Sequence, residues 1–432
     1  MPITFNRRWR VLLKRHGPAS AVWRRRIAMG AGAVTIGLAA LLFARLADRA
    51  SIAFEDLTRL HPWWPLAITP LGFAAIAWLT RAIVPEAAGS GIPQVIAAAH
   101  DVKKASHTLI SLKAAALKCL FTVAALLCGA SVGREGPTVQ VSAAIMTFYH
   151  RVLRAPLRSS MIIAVGAAGV AAAFNTPLAG VTFAIEELAD AYEQRVALLV
   201  MTTILIAGVV SLGLSGDYVY FGAVGQTMKI GAVLRVAPVA GVLGGLTGGL
   251  FARLMLGVGV AKRRWLPFLD ERPIVWALIC GVAVALLGVA TGLTWGTGYS
   301  AARAIIDGTN APWWFGPAKF GSTLATAAGG LPGGIFAPSL ATGSGLGAVL
   351  RVLFPDDPGG AVVLLGMVAY FTGVVRAPLT AVIIIVEATA SRGLILPLFL
   401  AALIAHAVSA LICKERLYHG LARPWREKLA SS

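Results

Sequence analysis

The chain has 432 residues, of which 57% are hydrophobic and only 13% charged, with a mean hydropathy of +0.77. Ordinary soluble domains carry roughly 25% charged residues, so this composition excludes that class. The net charge of +19 does not indicate nucleic acid, because the basic residues gather at the margins of apolar segments.

In chain order, residues 1–26 form a basic N-terminal segment with Arg7, Arg8, Arg10, Lys14, Arg15, Arg24, Arg25 and Arg26 and no acid. Long apolar stretches follow at Ile27–Ala44, Leu66–Val84, Ala114–Cys128, Ala197–Leu214, Ile274–Ala290 and Leu394–Cys413. Several approach the ~20 residues that a helix needs to cross a bilayer, and their number excludes a signal peptide or a single anchor. The chain therefore reads as an all-α, polytopic membrane protein. Trp63, Trp64, Trp313 and Trp314 lie near the loops, as interface anchors do. The tail from Lys414 to Lys428 carries five basic residues and two acids. Basic segments flanking spans stay cytoplasmic, which places both termini inside after an even number of crossings. The boundaries expected are 1–26 for the basic segment, 27–225 and 226–413 for two membrane halves, and 414–432 for the tail. No soluble regulatory domain is expected beyond it. Cys119, Cys128, Cys280 and Cys413 lie in apolar sequence without metal-ligand spacing and read as packing residues; no metal or cofactor is expected.

Three Gly/Pro-rich signatures interrupt the apolar pattern: Gly89-Ser-Gly-Ile-Pro93, Gly133-Arg-Glu-Gly-Pro137 and Gly333-Gly-Ile-Phe-Ala-Pro338. Proline is favoured at the first helical position, so each signature predicts a helix N-terminus inside membrane-embedded sequence. Such an end presents unpaired backbone N–H groups and partial positive charge, which suits an anion. Glycine lets the backbone approach the ion without a Cβ in the way.

The halves repeat. Phe174-Asn-Thr-Pro-Leu-Ala-Gly-Val-Thr-Phe-Ala-Ile-Glu186 matches Val375-Arg-Ala-Pro-Leu-Thr-Ala-Val-Ile-Ile-Ile-Val-Glu387, with Pro177/Pro378 and Glu186/Glu387 both 201 residues apart. Pro137 and Pro338 keep the same offset. The stretch Arg151–Arg158 is basic, whereas its counterpart around Asp356 and Asp357 is acidic. Equivalent loops then lie on opposite sides of the membrane, the mark of an inverted repeat with discontinuous helices and a site near the midplane.

The ordered set of signatures resembles the CLC family of chloride channels and chloride/proton exchangers, over about residues 27–420. The resemblance implies an inverted-repeat bundle of tilted, discontinuous helices, a homodimer with one pathway per subunit, and transport of chloride in exchange for protons. By the same resemblance Ser90 and Gly91 bind the central anion, Ile335 and Phe336 supply backbone amides, and Tyr418 closes the site from the cytoplasmic end. Glu135 takes the place of the gating glutamate, framed by Gly133, Arg134, Gly136 and Pro137. Its carboxylate is itself an anion and competes for the site. Lys118 stands where the family often has lysine; it acts at long range on the site or pairs structurally.

Glu187 occupies the family's proton-transfer position and favours an exchanger over the alternative, a passive voltage- or pH-gated chloride channel. Adjacent helical residues point about 100° apart, so Glu186 and Glu187 serve different roles. Glu186 has a repeat partner in Glu387 and Glu187 has none, which assigns Glu186 to the fold. His406, inside the last apolar stretch, is expected to pack rather than relay protons. An intramembrane hydrolase using Ser90 or Ser344 with His406 would leave the repeat unexplained. The partners expected are chloride, protons, the lipid bilayer (the bacterial inner membrane) and a second copy of the chain, with no nucleic acid.

Overall fold

The computed structural model describes residues 17–188, 194–215 and 219–431; Arg7, Arg8, Arg10, Lys14 and Arg15 lie outside them. The described secondary structure is helical throughout, apart from one isolated antiparallel bridge between Gly133 and Gly334. Among the described residues, six helices are long and apolar enough to cross a membrane: Trp23–Leu60, Pro65–Ile83, Ile230–Trp265, Pro273–Thr291, Phe336–Leu353 and Arg392–Ile412. Helices such as Ile92–Ala98, Pro177–Phe183 and Pro378–Thr389 are shorter, and each has a glycine or proline at its start.

The sequence repeat is a structural repeat. Glu135–Val152 and Phe336–Leu353 are both 18-residue helices, and their bounds differ by the same offset as the motifs. The helices Ser159–Phe174 and Gly359–Val375 each end on a left-handed residue that is not glycine, Asn175 (φ 59°) and Arg376 (φ 61°). That conformation is uncommon for such residues. Each then restarts after a single residue, with Pro177 or Pro378 in the first helical turn.

The repeat is inverted. The amides of Leu379 and Thr380 donate to the Glu186 carboxylate (3.0 and 2.7 Å), as does Thr380 Oγ1 (2.8 Å). Reciprocally, the amides of Leu178 and Ala179 donate to Glu387 (3.1 and 2.8 Å). Each helix therefore carries, at its C-terminal end, the acid that caps the N-terminal end of the other. Two helices can do this only if they run antiparallel. The same exchange occurs at the centre, where Gly133 and Gly334 trade amide–carbonyl hydrogen bonds of 2.7 Å in both directions.

The halves differ in one local respect. The first-half helix from Pro177 passes at Ala184–Leu188 into a π-helical turn, whereas the second-half helix stays α-helical from Pro378 to Thr389. The extra residue in a π turn re-aims side chains and recurs at functional positions; here it carries Glu186 and Glu187.

Small residues let the helices approach closely, as membrane bundles require. A Cβ on Gly248 would lie 2.6 Å from the Tyr370 carbonyl oxygen, and one on Gly347 would lie 2.5 Å from Val363 Cα. All four cysteines are free, with Cys280 and Cys413 buried.

Candidate functional site

The three signatures, far apart in sequence, meet at the repeat interface. A helix begins in each: Ile92–Ala98 after Gly91, Glu135–Val152 after Arg134, and Phe336–Leu353 after Ile335. Gly333 N donates to Gly89 O (3.1 Å), which ties the first signature to the third, and the Gly133–Gly334 pair ties the second to the third. Glycine is required at the crossings. A Cβ on Gly91, already at φ 107°, would lie 2.6 Å from Gly136 O, and one on Gly136 would strike Ser90.

Polar side chains that the sequence reading did not single out fix the Ser90 loop. Gln94 Oε1 accepts from Gly91 N (3.1 Å) while its Nε2 donates to Ala88 O (2.6 Å) and Glu86 O (3.2 Å). Gln140 Nε2 donates to Glu86 O (3.1 Å) and Leu109 O (2.6 Å). Lys118, fully buried, donates to Ala88 O at 3.3 Å, so it touches the loop behind Ser90. No spacing rule marks the two glutamines. The repeat offset does lead from Lys118 to Lys319, equally buried, which donates to the carbonyls of Thr294, Trp295 and Gly296.

Ser90 and Tyr418 are buried, and their hydroxyls face one another. Among the described residues neither oxygen reaches a hydrogen-bond partner. Both line a cavity of ≈ 200 Å³ together with Gly89, Gln94, Ile335 and Trp425. Phe336 lies behind it, its ring 5.9 Å from Tyr418, 5.6 Å from Phe183 and 4.9 Å from Phe371. Two buried hydroxyls without partners, beside the start of the Phe336 helix, make a site whose unmet donors fit an anion.

Glu135 is fully buried, and its carboxylate oxygens also lack hydrogen-bond partners among the described residues. The carboxylate faces the amide of Ala337 and lies against Gly133, where a Cβ would collide with it. It thus sits at the N-terminal end of the Phe336 helix, where an anion is favoured. Arg134 turns elsewhere: its guanidinium donates to Asp48 (2.7 Å) and Ala44 O (3.0 Å) and lies 5.7 Å from the Tyr220 ring. It lines a second cavity of ≈ 370 Å³ with Asp48, Glu55, Tyr220, Gly298 and Tyr299. The loop Gly296-Thr-Gly298 repeats the left-handed glycines of Gly89-Ser-Gly91 and precedes the helix Tyr299–Ile306. The inverted halves therefore set a G-x-G loop at each cavity.

Glu187 is fully buried, and among the described residues neither of its carboxylate oxygens has a hydrogen-bond partner. His419 lies beside it, with Nδ1 3.5 Å from Glu187 Oε1. Tyr418 lies within electrostatic reach of both Glu135 and Glu187. The structure thus brings Ser90, Gly91, Glu135, Ile335, Phe336 and Tyr418 to one place, with Glu187 within electrostatic reach of Tyr418. His406 is half-buried beside Arg376 and Arg416. Ser344 Oγ donates to Ala341 O, so it is not activated as a hydrolase nucleophile would be.

Comparison with known proteins accords with this geometry. Residues 71–410 match the family model described as "Voltage gated chloride channel". The chain is 32% identical over 387 residues to the "H(+)/Cl(-) exchange transporter ClcA" of Vibrio vulnificus, covering 84% of this chain and 79% of the relative. It is 28% identical over 379 residues to the transporter of the same name from Salmonella paratyphi A, covering 82% and 78%. Among solved structures, the fold is shared with a slow cyanobacterial Cl-/H+ antiporter (TM-score 0.81, 23% identity, 95% of this chain and 99% of the other). It is also shared with a CLC-type fluoride/proton antiporter (TM-score 0.74, 24% identity, 89% and 96%). With the three signatures converging across an inverted repeat, and the family model spanning most of the chain, this multi-pass membrane protein belongs to the voltage-gated chloride channel (CLC) family.

Proposed function

We propose that this protein exchanges chloride for protons across a membrane, with Glu135 as the shared gate. The observation that carries the reading is the placement of the Glu135 carboxylate at the start of the Phe336 helix, against Gly133 and beside an anion-type site. An ionised carboxylate there occupies the path of an anion; protonated, it has no reason to stay and yields the position to chloride. One side chain thereby binds the two ions alternately. Relatives named as H(+)/Cl(-) exchange transporters support the ion pair.

Ser90, Gly91, Tyr418 and the amides of Ile335 and Phe336 hold the central chloride. Glu187, buried without a hydrogen-bond partner among the described residues, passes protons to and from the cytoplasmic side, because a buried carboxylate with no structural task is costly unless it titrates in function. Gly133, Gly136 and Pro137 shape the backbone around Glu135, while Arg134 anchors the helix Gly17–Leu60 through Ala44 and Asp48. Both termini face the cytoplasm, in keeping with the basic flanks, and the bacterial relatives favour the inner membrane. The family resemblance adds a homodimer with one pathway per subunit to this reading. The halves 27–225 and 226–413 are the repeat units, and chloride is cargo rather than a cofactor.

The test is a proteoliposome assay that follows chloride and protons together under opposed gradients. Chloride-driven uphill proton movement is expected, and Glu135→Gln should abolish it while chloride still moves. Chloride flux without proton movement in the wild type would favour the passive channel; uphill proton movement in Glu135→Gln would remove Glu135 from the gate.

A further inference from the structure

We propose that His419 is the residue through which protons pass between the cytoplasm and Glu187. The inference rests on the reading of Glu187 as the inner proton carrier and adds the step that reading lacks. The Glu187 side chain has no solvent exposure, so it cannot exchange protons with water directly, whereas the His419 side chain is 25% exposed. The two groups are 3.5 Å apart, Nδ1 to Oε1, one small side-chain adjustment from a hydrogen bond. Histidine is the side chain type suited to exchanging protons with water near neutral pH.

The position is enforced by the fold. His419 lies in the first turn of the helix Leu417–Ser431, next to Tyr418, whose ring packs at 5.9 Å against Phe336 in the anion site. Glu187 lies in the π turn Ala184–Leu188, which turns it away from Glu186 and its structural hydrogen bonds. The other charged groups around the pair already have structural partners. Arg416 donates to the Glu186 carbonyl (3.2 Å) and Arg376 to the carbonyls of Cys413 (3.2 Å) and Lys414 (2.9 Å). Glu415 pairs with Arg423 at 2.6 Å, and Glu186 caps the Pro378 helix. Of the described groups, His419 alone combines contact with Glu187 and access to water.

In the step itself Nε2, on a side chain that is 25% exposed, takes a proton from a hydronium ion, leaving water and an imidazolium. The Nδ1–H bond then breaks, its electron pair staying on nitrogen, as a new O–H bond forms on Glu187. The products are a neutral imidazole with its proton on Nε2 and a neutral carboxylic acid. Loss of the Nε2 proton to water and uptake of a proton from water at Nδ1 restore the starting tautomer. The reverse sequence releases a proton from Glu187 to the cytoplasm.

The experiment measures chloride-driven proton transport in proteoliposomes as a function of internal-side pH for wild type, His419→Ala, His419→Gln and Glu187→Gln, with and without free imidazole. His419→Ala and His419→Gln should each slow proton transport several-fold. The loss should deepen as the pH on the His419 side rises, where hydronium becomes scarce. Imidazole should restore the rate of His419→Ala, because the small cavity left by the ring admits it, and should do nothing for Glu187→Gln. A purely structural histidine predicts instead a loss independent of pH and untouched by imidazole, and that result overturns the inference. A wild-type rate and pH profile in His419→Ala also overturns it. If Glu187→Gln itself pumps protons, the underlying reading of Glu187 fails, whatever His419 does.

Discussion

Ser90 Oγ and Tyr418 OH form an unusual pair: both are buried, both face one cavity, and neither has a hydrogen-bond partner among the described residues. A buried polar group left unsatisfied costs about 1–3 kcal/mol, and a chloride accepting from both would recover it. The hydroxyl and not the backbone is then the part of Ser90 that matters for affinity. Ser90→Ala keeps the loop, since Gln94, Gln140 and Lys118 hold it through backbone atoms. A hydrogen bond to a charged group is worth about 1.5–3 kcal/mol, or roughly tenfold to a hundredfold in Kd. Titration of chloride into detergent-solubilised Ser90→Ala should show weaker binding of that order. An unchanged Kd would mean that Ser90 does not touch the ion.

At the scale of elements, the reciprocal caps make a sharper test of the repeat than its sequence did. Glu186 accepts three hydrogen bonds from the start of the Pro378 helix and Glu387 accepts two from the start of the Pro177 helix. Acids at helix N-termini are favoured both as acceptors and by the dipole. Glu186→Gln and Glu387→Gln should each lower stability by about 1–3 kcal/mol and leave the proton-to-chloride ratio of the surviving protein intact. Thermal unfolding in detergent and the flux assay check the two halves of that statement; a changed ratio in Glu186→Gln would place it on the proton path. The offset of 201 residues made the pairing legible in sequence, and Pro137, Pro177, Pro338 and Pro378 marked the helix starts, because proline leaves a local signature. Contacts made by distant, ordinary polar residues leave none. Gln94 and Gln140 look like any helix residues, the π turn at Ala184–Leu188 has no compositional cue, and His419 reads as a surface residue until the fold sets it against Glu187.

For the whole molecule, inversion of the repeat places a buried lysine behind each G-x-G loop, and the two are not equally employed. Lys319, in the helix Phe315–Ala328, is held by three carbonyls, Thr294 (2.9 Å), Trp295 (3.3 Å) and Gly296 (2.8 Å). Lys118, in the helix Leu112–Leu127, reaches a single carbonyl, Ala88 at 3.3 Å. A buried ammonium is tolerable only when such acceptors replace water, so Lys319 is the better compensated and the more structural of the two. Lys118, with one long contact behind the Ser90 loop, keeps more of its charge free to act on the anion site. Methionine preserves the length and packing of either side chain while removing donor and charge. Lys319→Met strands three carbonyls, each worth about 1–3 kcal/mol if left unpaired, and should sharply lower yield and melting temperature. Lys118→Met should fold close to wild type and bind chloride more weakly. Thermal unfolding and chloride titration on both variants decide the matter. Equal losses of stability would show that the two lysines are equivalent props; undiminished chloride affinity in Lys118→Met would show that its charge does not reach the site.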